Sequence, residues 1–287
     1  MTHVPVYGKE HTFLEKDTGL LFRNSSFHET AALHTHNFYE FFIVTDGTAL
    51  HMVNDSIQSL AKGDFVFIRP QDVHTYEFYC SEDFRIINIG FSTLIFQSIK
   101  SFLDNSKNFR ELSTAEFPKC VHVDEITLEQ IKKDFLKIGQ LMNETNTLYT
   151  IYYAKNCLST VFANYFFHYT TDMHSPSTMP DWFSNMLTEM QKIENLQAGF
   201  PRMLELAACS KNHLCRVFQK HMNMTPTEYI NDRRLEYSIY LLTQTSDDIL
   251  DICSQCGFHN LSHFYHLFKE KYHTSPARFK KTTVINQ

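Results

Sequence analysis

The sequence predicts an α+β multidomain chain: a small β-barrel or sandwich with a helix pair, then an all-α domain. Three observations carry this. Short apolar stretches separated by turn signals fill residues 20–90. Beyond them the apolar period changes from that of strands to that of helices. From Asp181 onward a unit of about 50 residues occurs twice.

The strands come first. Phe38 to Val44, Phe65 to Ile68 and Arg85 to Phe91 are apolar runs of strand length. Thr45-Asp46-Gly47 and Ala61-Lys62-Gly63-Asp64 punctuate them as turns. Strands so spaced, with no helical period between them, predict an antiparallel sandwich or barrel. Ser92 to Leu103 reads as a short helix. Thr127 to Asn143 and Tyr149 to Tyr169 read as longer ones, with Ile131, Phe135, Ile138 and Met142 on one face. The apolar stripes of this pair, Phe135, Ile138, Tyr152 and Leu158 among them, are candidates for a homodimer face and for core. The aromatic run Tyr165 to Tyr169 has the spacing of core or interface, not of a ligand-stacking box. Thr170 to Pro180 is polar and proline-containing and reads as a linker. The expected domains are therefore 1–175, for sensing and dimerisation, and 181–287.

Composition excludes several classes. With 43% apolar and 20% charged residues, the 287-residue chain is globular, not disordered. No continuous apolar run is long enough for a membrane span. The N-terminus lacks a charged-then-apolar leader, and seven cysteines, an odd count lying mostly in apolar patterns, predict reduced thiols in a cytosol. Net charge is −6, unevenly shared. From Asp181, 7 Lys and 5 Arg face 5 Asp and 6 Glu, a formal +1, leaving −7 in the first 180 residues.

The repeat is specific. VFQKHMNMTPTEYI from Val217 aligns with LFKEKYHTSPARFK from Leu267 at an offset of 50. Phe218 then matches Phe268, and Thr225-Pro226 matches Ser275-Pro276. Upstream, Leu204 matches Cys253 at an offset of 49, so one unit has an extra residue in its turn. Met203 to Ala207, a turn at Ala208-Cys209-Ser210, and Lys211 to His221 make the first unit, with Ser210 as N-cap. Ile249 to Cys256, a turn at Gly257-Phe258-His259, and Asn260 to Tyr272 make the second. This is the helix-turn-helix plan. Its second helices present Lys211, Asn212, Cys215, Arg216 and Lys220 in one unit, and Asn260, Ser262, His263, His266 and Lys269 in the other. Arg, Asn, Lys and His reach base edges and phosphates in a major groove. A solvated polar face is the ordinary alternative for one such helix; two in register weaken it.

Residues 181–281 resemble the AraC/XylS family of transcription regulators. RRLEYSIYLL (Arg233 to Leu242) looks like the helix linking the two helix-turn-helix units, and DILDICSQCGFHNLSHFYHLFKEKYHTSPARFKK resembles the family signature. Cys253 departs where Ala is usual, and His266 where Arg is usual. Asn223 and His273 replace the Gly that usually ends each reading helix. Both tolerate positive φ better than most residues. Cys253 and Cys256, with Cys209 and Cys215, suggest a four-thiolate zinc site. Cys256 and Cys209 however fall at positions expected to be apolar core, and the pairs lack matching spacing.

In the first domain, LHTHNFYEFFIVTDG places His34, His36 and Glu40 at even spacing, hence on one face of an extended strand. His74 follows in GDFVFIRPQDVHTYEF. The set resembles the cupin pattern, whose HxHxxxE and later His line the mouth of a small barrel. His34, His36, Glu40 and His74 can line an effector site or hold a divalent metal. Arg69, beside His74, can meet a phosphate but is otherwise expected to be solvated.

The order of cupin-like barrel, helix pair and paired helix-turn-helix units resembles sugar-responsive members of the family. The resemblance implies a non-enzymatic, cytoplasmic, homodimeric regulator of double-stranded DNA. A sugar or sugar phosphate, such as a β-linked disaccharide, would be its effector. RNA polymerase would be a partner if it activates. No cofactor is required beyond the divalent metal the pocket could hold, and no membrane. The alternatives are a metal-dependent cupin enzyme with a DNA-binding tail, and a protein-interaction module. Operator, effector and direction of regulation are not legible in the sequence.

Overall fold

The computed structural model describes residues 6–7, 14–26, 33–77, 84–167 and 179–285. The chain divides into two compact units, Met1–Asn54 with Ser59–Thr171, and Asp55–Gln58 with Asp172–Gln287. Of the expected linker, residues 170–178 lie outside the described residues, as do His168 and Tyr169.

The strands are β1 (Val6–Tyr7), β2 (Leu20–Ser26), β3 (Thr35–His36), β4 (Tyr39–Asp46), β5 (Thr48–Val53), β6 (Ser56–Ala61), β7 (Asp64–Ile68), β8 (His74–Glu77), β9 (Arg85–Phe91) and β10 (Cys120–His122), all in the first unit except the start of β6, Ser56–Gln58. One sheet has the order β10-β7-β4-β9-β2 and a second β6-β5-β8, while β1 pairs with β3. The pairings of β4 with β7 and β9 are antiparallel. The apolar runs are continuous because both faces of the large sheet are covered. Phe41, Ile43, Phe65, Phe67, Ile87 and Ile89 face one core; Phe42, Val44, Val66, Ile68 and Ile86 face another. Alternation along β4 therefore puts Glu40 on the side of Phe42 and Val44.

The first core is closed by α1 (Thr93–Leu103), α2 (Ser106–Thr114), α3 (Glu125–Met142) and α4 (Thr147–Val161), with a π turn over Phe162–Phe166. Ser92 caps α1 and Asp124 caps α3, each accepting from a backbone N–H three residues on. The π turn ends the helical run that the periodicity extends to Tyr169. It directs Phe162, Phe166 and Phe167 into one aromatic core, Phe162 lying 4.9 Å from Phe41 between ring centres. Phe135, Ile138 and Leu158 are wholly buried in that core, so they cannot form a dimer face. Tyr152 alone of the four is exposed, at 60%. Intrachain packing and subunit packing use the same helical period, and the sheet took the stronger stripe.

The second unit is helical: α5 (Asp181–Glu189), α6 (Ile193–Ala198), α7 (Phe200–Ala207), α8 (Lys211–Met222), α9 (Pro226–Gln244), α10 (Ile249–Gln255), α11 (Leu261–Tyr272) and α12 (Pro276–Ile285). The repeat is structural. Leu214 and Phe264 are wholly buried at matching positions, as are Phe218 and Phe268. Met203 and Ile252 match at the shorter offset and are also wholly buried. The extra residue lies between the turn's left-handed residue (Ala208, φ 47°, or Gly257, φ 83°) and the next N-cap. Asn223 and His273 end α8 and α11 at φ 53° and 54°, the left-handed geometry expected of them.

Arg234 ties the units of this bundle together. Its Nε donates to Leu196 O at 2.8 Å and its Nη2 to Gln197 O at 2.9 Å. Arg233, Glu236, Asp232 and Lys271 form an ion-pair cluster joining α9 to α11, with Arg233 Nη2 2.7 Å from buried Glu236 Oε1. The two arginines of the RRLEYSIYLL stretch are thus consumed inside the bundle. Among the thiols, Cys256 is buried as expected of a core position and Cys253 is buried beside it, whereas Cys209, expected in the core, is only half-buried at the exposed turn, as is Cys215.

Candidate functional site

The polar groups of the first unit converge between its sheets. His34, His36, Glu40 and His74 are all buried. They do not share one strand, as the spacing alone suggests. The chain bends at Asn37 and Phe38, between β3 and β4, and His34 precedes β3 in an isolated bridge to His74. The bend, not pleat alternation, turns His36 back toward Glu40.

His36 Nδ1 lies 2.7 Å from Phe38 O. A carbonyl only accepts, so Nδ1 carries the proton, and in the neutral ring Nε2 is a bare lone pair. That Nε2 sits 3.2 Å from Glu40 Oε2, near enough for an ion pair were the ring charged, but makes no hydrogen bond. His74 Nδ1 is 3.4 Å from His51 Nε2, and His74 Nε2 has no partner. The donor atoms of His36, Glu40 and His74 lie within 4.8 Å of one another. His34 adds a fourth ring, its centre 4.5 Å from that of His74.

The electrostatics follow from burial. Burial opposes the charge on Glu40, yet the adjacent imidazoles of His36 and His34, wherever they carry a proton in excess, and the Asn88 amide hold its carboxyl below its ordinary value. Asn88 Nδ2 donates to Glu40 Oε1. Burial, then the neighbouring imidazoles His34, His51 and His36, push His74 well below the usual imidazole range, so it is neutral. Burial and the Glu40 charge push the Tyr76 phenol well up, so its hydroxyl keeps its proton. That hydroxyl and Asn88 Oδ1 are both buried without partners. Most buried polar atoms find a partner, and four such atoms around one carboxylate leave it able to take a ligand, an ion or water.

His51, Tyr76 and Asn88 are additions that sequence reasoning missed. His51 stacks on Tyr76 with ring centres 5.2 Å apart. His51 and Asn88 interrupt the apolar runs of β5 and β9, the one available signal, and an isolated histidine there reads equally well as core; Tyr76 lies in the polar strand His74–Glu77, where nothing sets it apart. The donor set suits a divalent metal. Two imidazoles and a carboxylate are side-chain types that hold such an ion, and His36 Nδ1 is anchored to a backbone carbonyl as ligating histidines are.

Arg69 does not join them. It is buried, and its Nε and Nη2 donate to Asp72 at 2.9 and 2.7 Å. Its Nη1 donates to Leu112 O and Ala115 O. With these donors spent on the protein, Arg69 is neither solvated nor available to an effector phosphate. Its sequence neighbourhood with His74 misleads because the turn carries the two side chains apart.

The second candidate surface is displayed rather than buried. Lys211, Asn212, Arg216 and Lys220 are exposed on α8, with Cys215 half-buried at the edge. Asn260, Ser262, His263, His266 and Lys269 are exposed at α11. Asn260 is also the N-cap of α11, accepting from His263 N at 2.9 Å. His213 and Gln219 are exposed on α8 and were not singled out by sequence; Gln219 is the offset partner of Lys269, a correspondence the repeat already contained.

Residues 21–129 match an AraC-like ligand binding domain, and residues 203–282 a helix-turn-helix domain. The HTH-type transcriptional activator RhaS of Enterobacter sp. is 23% identical over 275 residues, covering 86% of this chain and 87% of that protein. The HTH-type transcriptional activator RhaR of the same organism is 24% identical over 261 residues, covering 87% of this chain and 86% of that one. Among solved structures, an apo ToxT variant from Vibrio cholerae aligns over 92% of this chain and 97% of its own, at 14% identity and a TM-score of 0.41.

Proposed function

Since the chain is a DNA-binding transcriptional regulator of the AraC family with an AraC-like ligand-binding domain, we propose that a sugar enters between the sheets of the first unit and sets the activity of the second. The observation that carries this is the group of unpartnered buried atoms: His36 Nε2, His74 Nε2, Tyr76 OH and Asn88 Oδ1. A sugar offers many hydroxyls and little charge. Acceptors at the imidazoles, the Asn88 carbonyl and Glu40, with a donor at Tyr76, match such a ligand. A divalent metal held by His36, Glu40 and His74 would supply a Lewis acid to polarise bound hydroxyls.

HTHNFYEF, GDFVFIRP, RIINIGFS and MPDWF resemble the regulator of the chitobiose utilisation operon. We therefore place β-linked disaccharides and their phosphates first among effectors. The relatives RhaS and RhaR are named as activators, and activation is the direction proposed here, with RNA polymerase as partner. Leu148, Tyr149 and Tyr152, exposed on α4, are the proposed homodimer face. The reading helices are proposed to take Arg216 and Asn212 to base edges and Lys211, Lys220 and Lys269 to phosphates.

The experiment is a thermal-shift screen of the full chain against disaccharides and their phosphates. A ligand that binds only the folded state raises the midpoint with concentration. A hit whose shift is lost in Tyr76→Phe supports the pocket. A hit that survives Tyr76→Phe, Glu40→Gln and Asn88→Ala alike moves the effector elsewhere.

A further inference from the structure

The two reading helices differ in one respect that their shared fold does not require. On α8 the exposed face carries Lys211, Arg216 and Lys220, a single exposed imidazole at His213, and no carboxylate. At α11 the corresponding face carries imidazoles. His259 in the turn, His263 and His266 on the helix and His273 at its C-cap are all exposed. Phe264, Phe268 and Tyr272 define the inward side of α11. His266 and His273 are seven residues apart, two turns, and so share the opposite side; His263 is the neighbour of His266 at three residues. His266 stands where the first unit has Arg216, and His263 where it has His213.

We propose that the second reading helix is a proton-coupled DNA contact: its imidazole stripe takes up protons as it meets the phosphate backbone. The proposal rests on the DNA-binding reading of this surface. Imidazole is the side chain whose charge changes between about pH 5 and 8. Bringing it beside phosphates stabilises its charged form. The bound state then holds more protons than the free state, and by linkage affinity rises as pH falls.

The surrounding charges leave room for this. On α11 itself the charged neighbours are Lys269 and Glu270, whose Oε2 lies 3.9 Å from His266 Nε2. Asp232, Arg233 and Glu236 on α9 are engaged with one another and with Lys271. Asp248 caps α10 by accepting from Asp251 N at 2.8 Å, and α10 also carries the exposed Asp251. From α12 come Arg278, Lys280 and Lys281, of which Lys280 bonds to Asp247 O. Phe258 contacts His263 by its ring only, 6.2 Å between centres.

The test uses the full chain and a duplex selected by it from a random-sequence pool. Affinity is measured against pH and salt, with heats of binding in buffers of different ionisation enthalpy. Each proton taken up contributes up to about tenfold per pH unit, so binding near pH 6 should be at least roughly tenfold tighter than near pH 8. The buffer series should show net proton uptake, and the salt dependence should steepen at the lower pH by roughly one phosphate contact or more. His263→Gln with His266→Gln should flatten the pH profile. Lys269→Gln should lower the salt slope and keep the profile. Salt-dependent binding without pH dependence or proton uptake overturns the proposal and leaves the DNA-binding reading standing. So does a pH profile that the double variant retains, because the protons then come from other groups. Binding that is insensitive to salt at every pH removes the reading on which the proposal rests.

Discussion

The proposed effector pocket and the proposed reading helices would solve opposite problems with the same residue types. In the pocket, histidines and a carboxylate are buried, and several of their atoms lack partners. On α8 and α11, histidines, lysines and an arginine are exposed, while Leu214, Phe218, Phe264 and Phe268 on the other side are buried. A small ligand must replace the water it displaces from each polar group, so its site keeps buried polar atoms waiting. DNA carries its charge on the outside, so its site needs only reach and register. Unsatisfied burial is therefore the mark of the first kind of site, and repeated exposure the mark of the second.

The comparison breaks most visibly at Arg69, a buried charge inside the sensor that is fully satisfied. Asp72 is wholly buried and paired with it. Arg69→Ala would leave that carboxylate buried without its counter-charge, held only by the Asn54 amide and the backbone N–H of residue 69, a loss of about 3–5 kcal/mol in stability. Urea denaturation would read it. A loss below about 1 kcal/mol, with effector response lost instead, would return Arg69 to the ligand site.

The next largest effect belongs to the displayed surface. Arg216→Ala should weaken DNA binding by about 1–3 kcal/mol and relax preference at one base position. Selection of binding sequences by mutant and wild type decides this; identical preferences mean that Arg216 reads no base. In the pocket, the corresponding test is metal. Purified protein is expected to carry about one divalent ion per chain, lost in His36→Ala, as ligand removal requires. A metal-free wild type that still binds sugar leaves the imidazoles as hydrogen-bonding walls. Tyr152→Glu should convert dimer to monomer in light scattering while leaving the core intact, because Tyr152 is exposed and Phe135, Ile138 and Leu158 are not.

Legibility in the sequence tracks the same contrast. Arg85 to Phe91 is a strand with the boundaries its apolar run sets, and Ser92 and Ser210 are caps where the residue type and the following helix require them. The repeat announced the helix-turn-helix pair because two copies fix one another's register. The pocket was only half visible. His34, His36, Glu40 and His74 form a spaced pattern, but the bend at Asn37 and Phe38, and the contributions of His51, Tyr76 and Asn88, depend on pairing between strands far apart in sequence. Pairing register is a property of the closed sheet and leaves no local trace. The same limit explains Arg69, whose partners Leu112 and Ala115 arrive from α2 and the segment after it.

The smallest effect, at Ala208, belongs to a pair of variants that tests the repeat itself. Ala208 and Gly257 occupy the same place in the two turns, at φ 47° and 83°. A left-handed backbone costs a residue with a Cβ about 1–2 kcal/mol, and glycine's extra unfolded-state entropy offsets about 0.4–1 kcal/mol of any relief. Ala208→Gly should therefore stabilise by a few tenths to about 1 kcal/mol. The reverse change is not symmetric. A Cβ at Gly257 would lie 2.9 Å from Gln197 Cα and 3.0 Å from Arg234 Nη2. The backbone atom cannot swing aside, so Gly257→Ala should cost more than the backbone strain alone, roughly 2 kcal/mol or above. Thermal denaturation of both variants gives the comparison. Equal and opposite changes would mean that the turns differ only in backbone strain. A larger loss at Gly257 would show that the second unit uses its glycine for close approach to α6 and Arg234, a demand the first turn does not make.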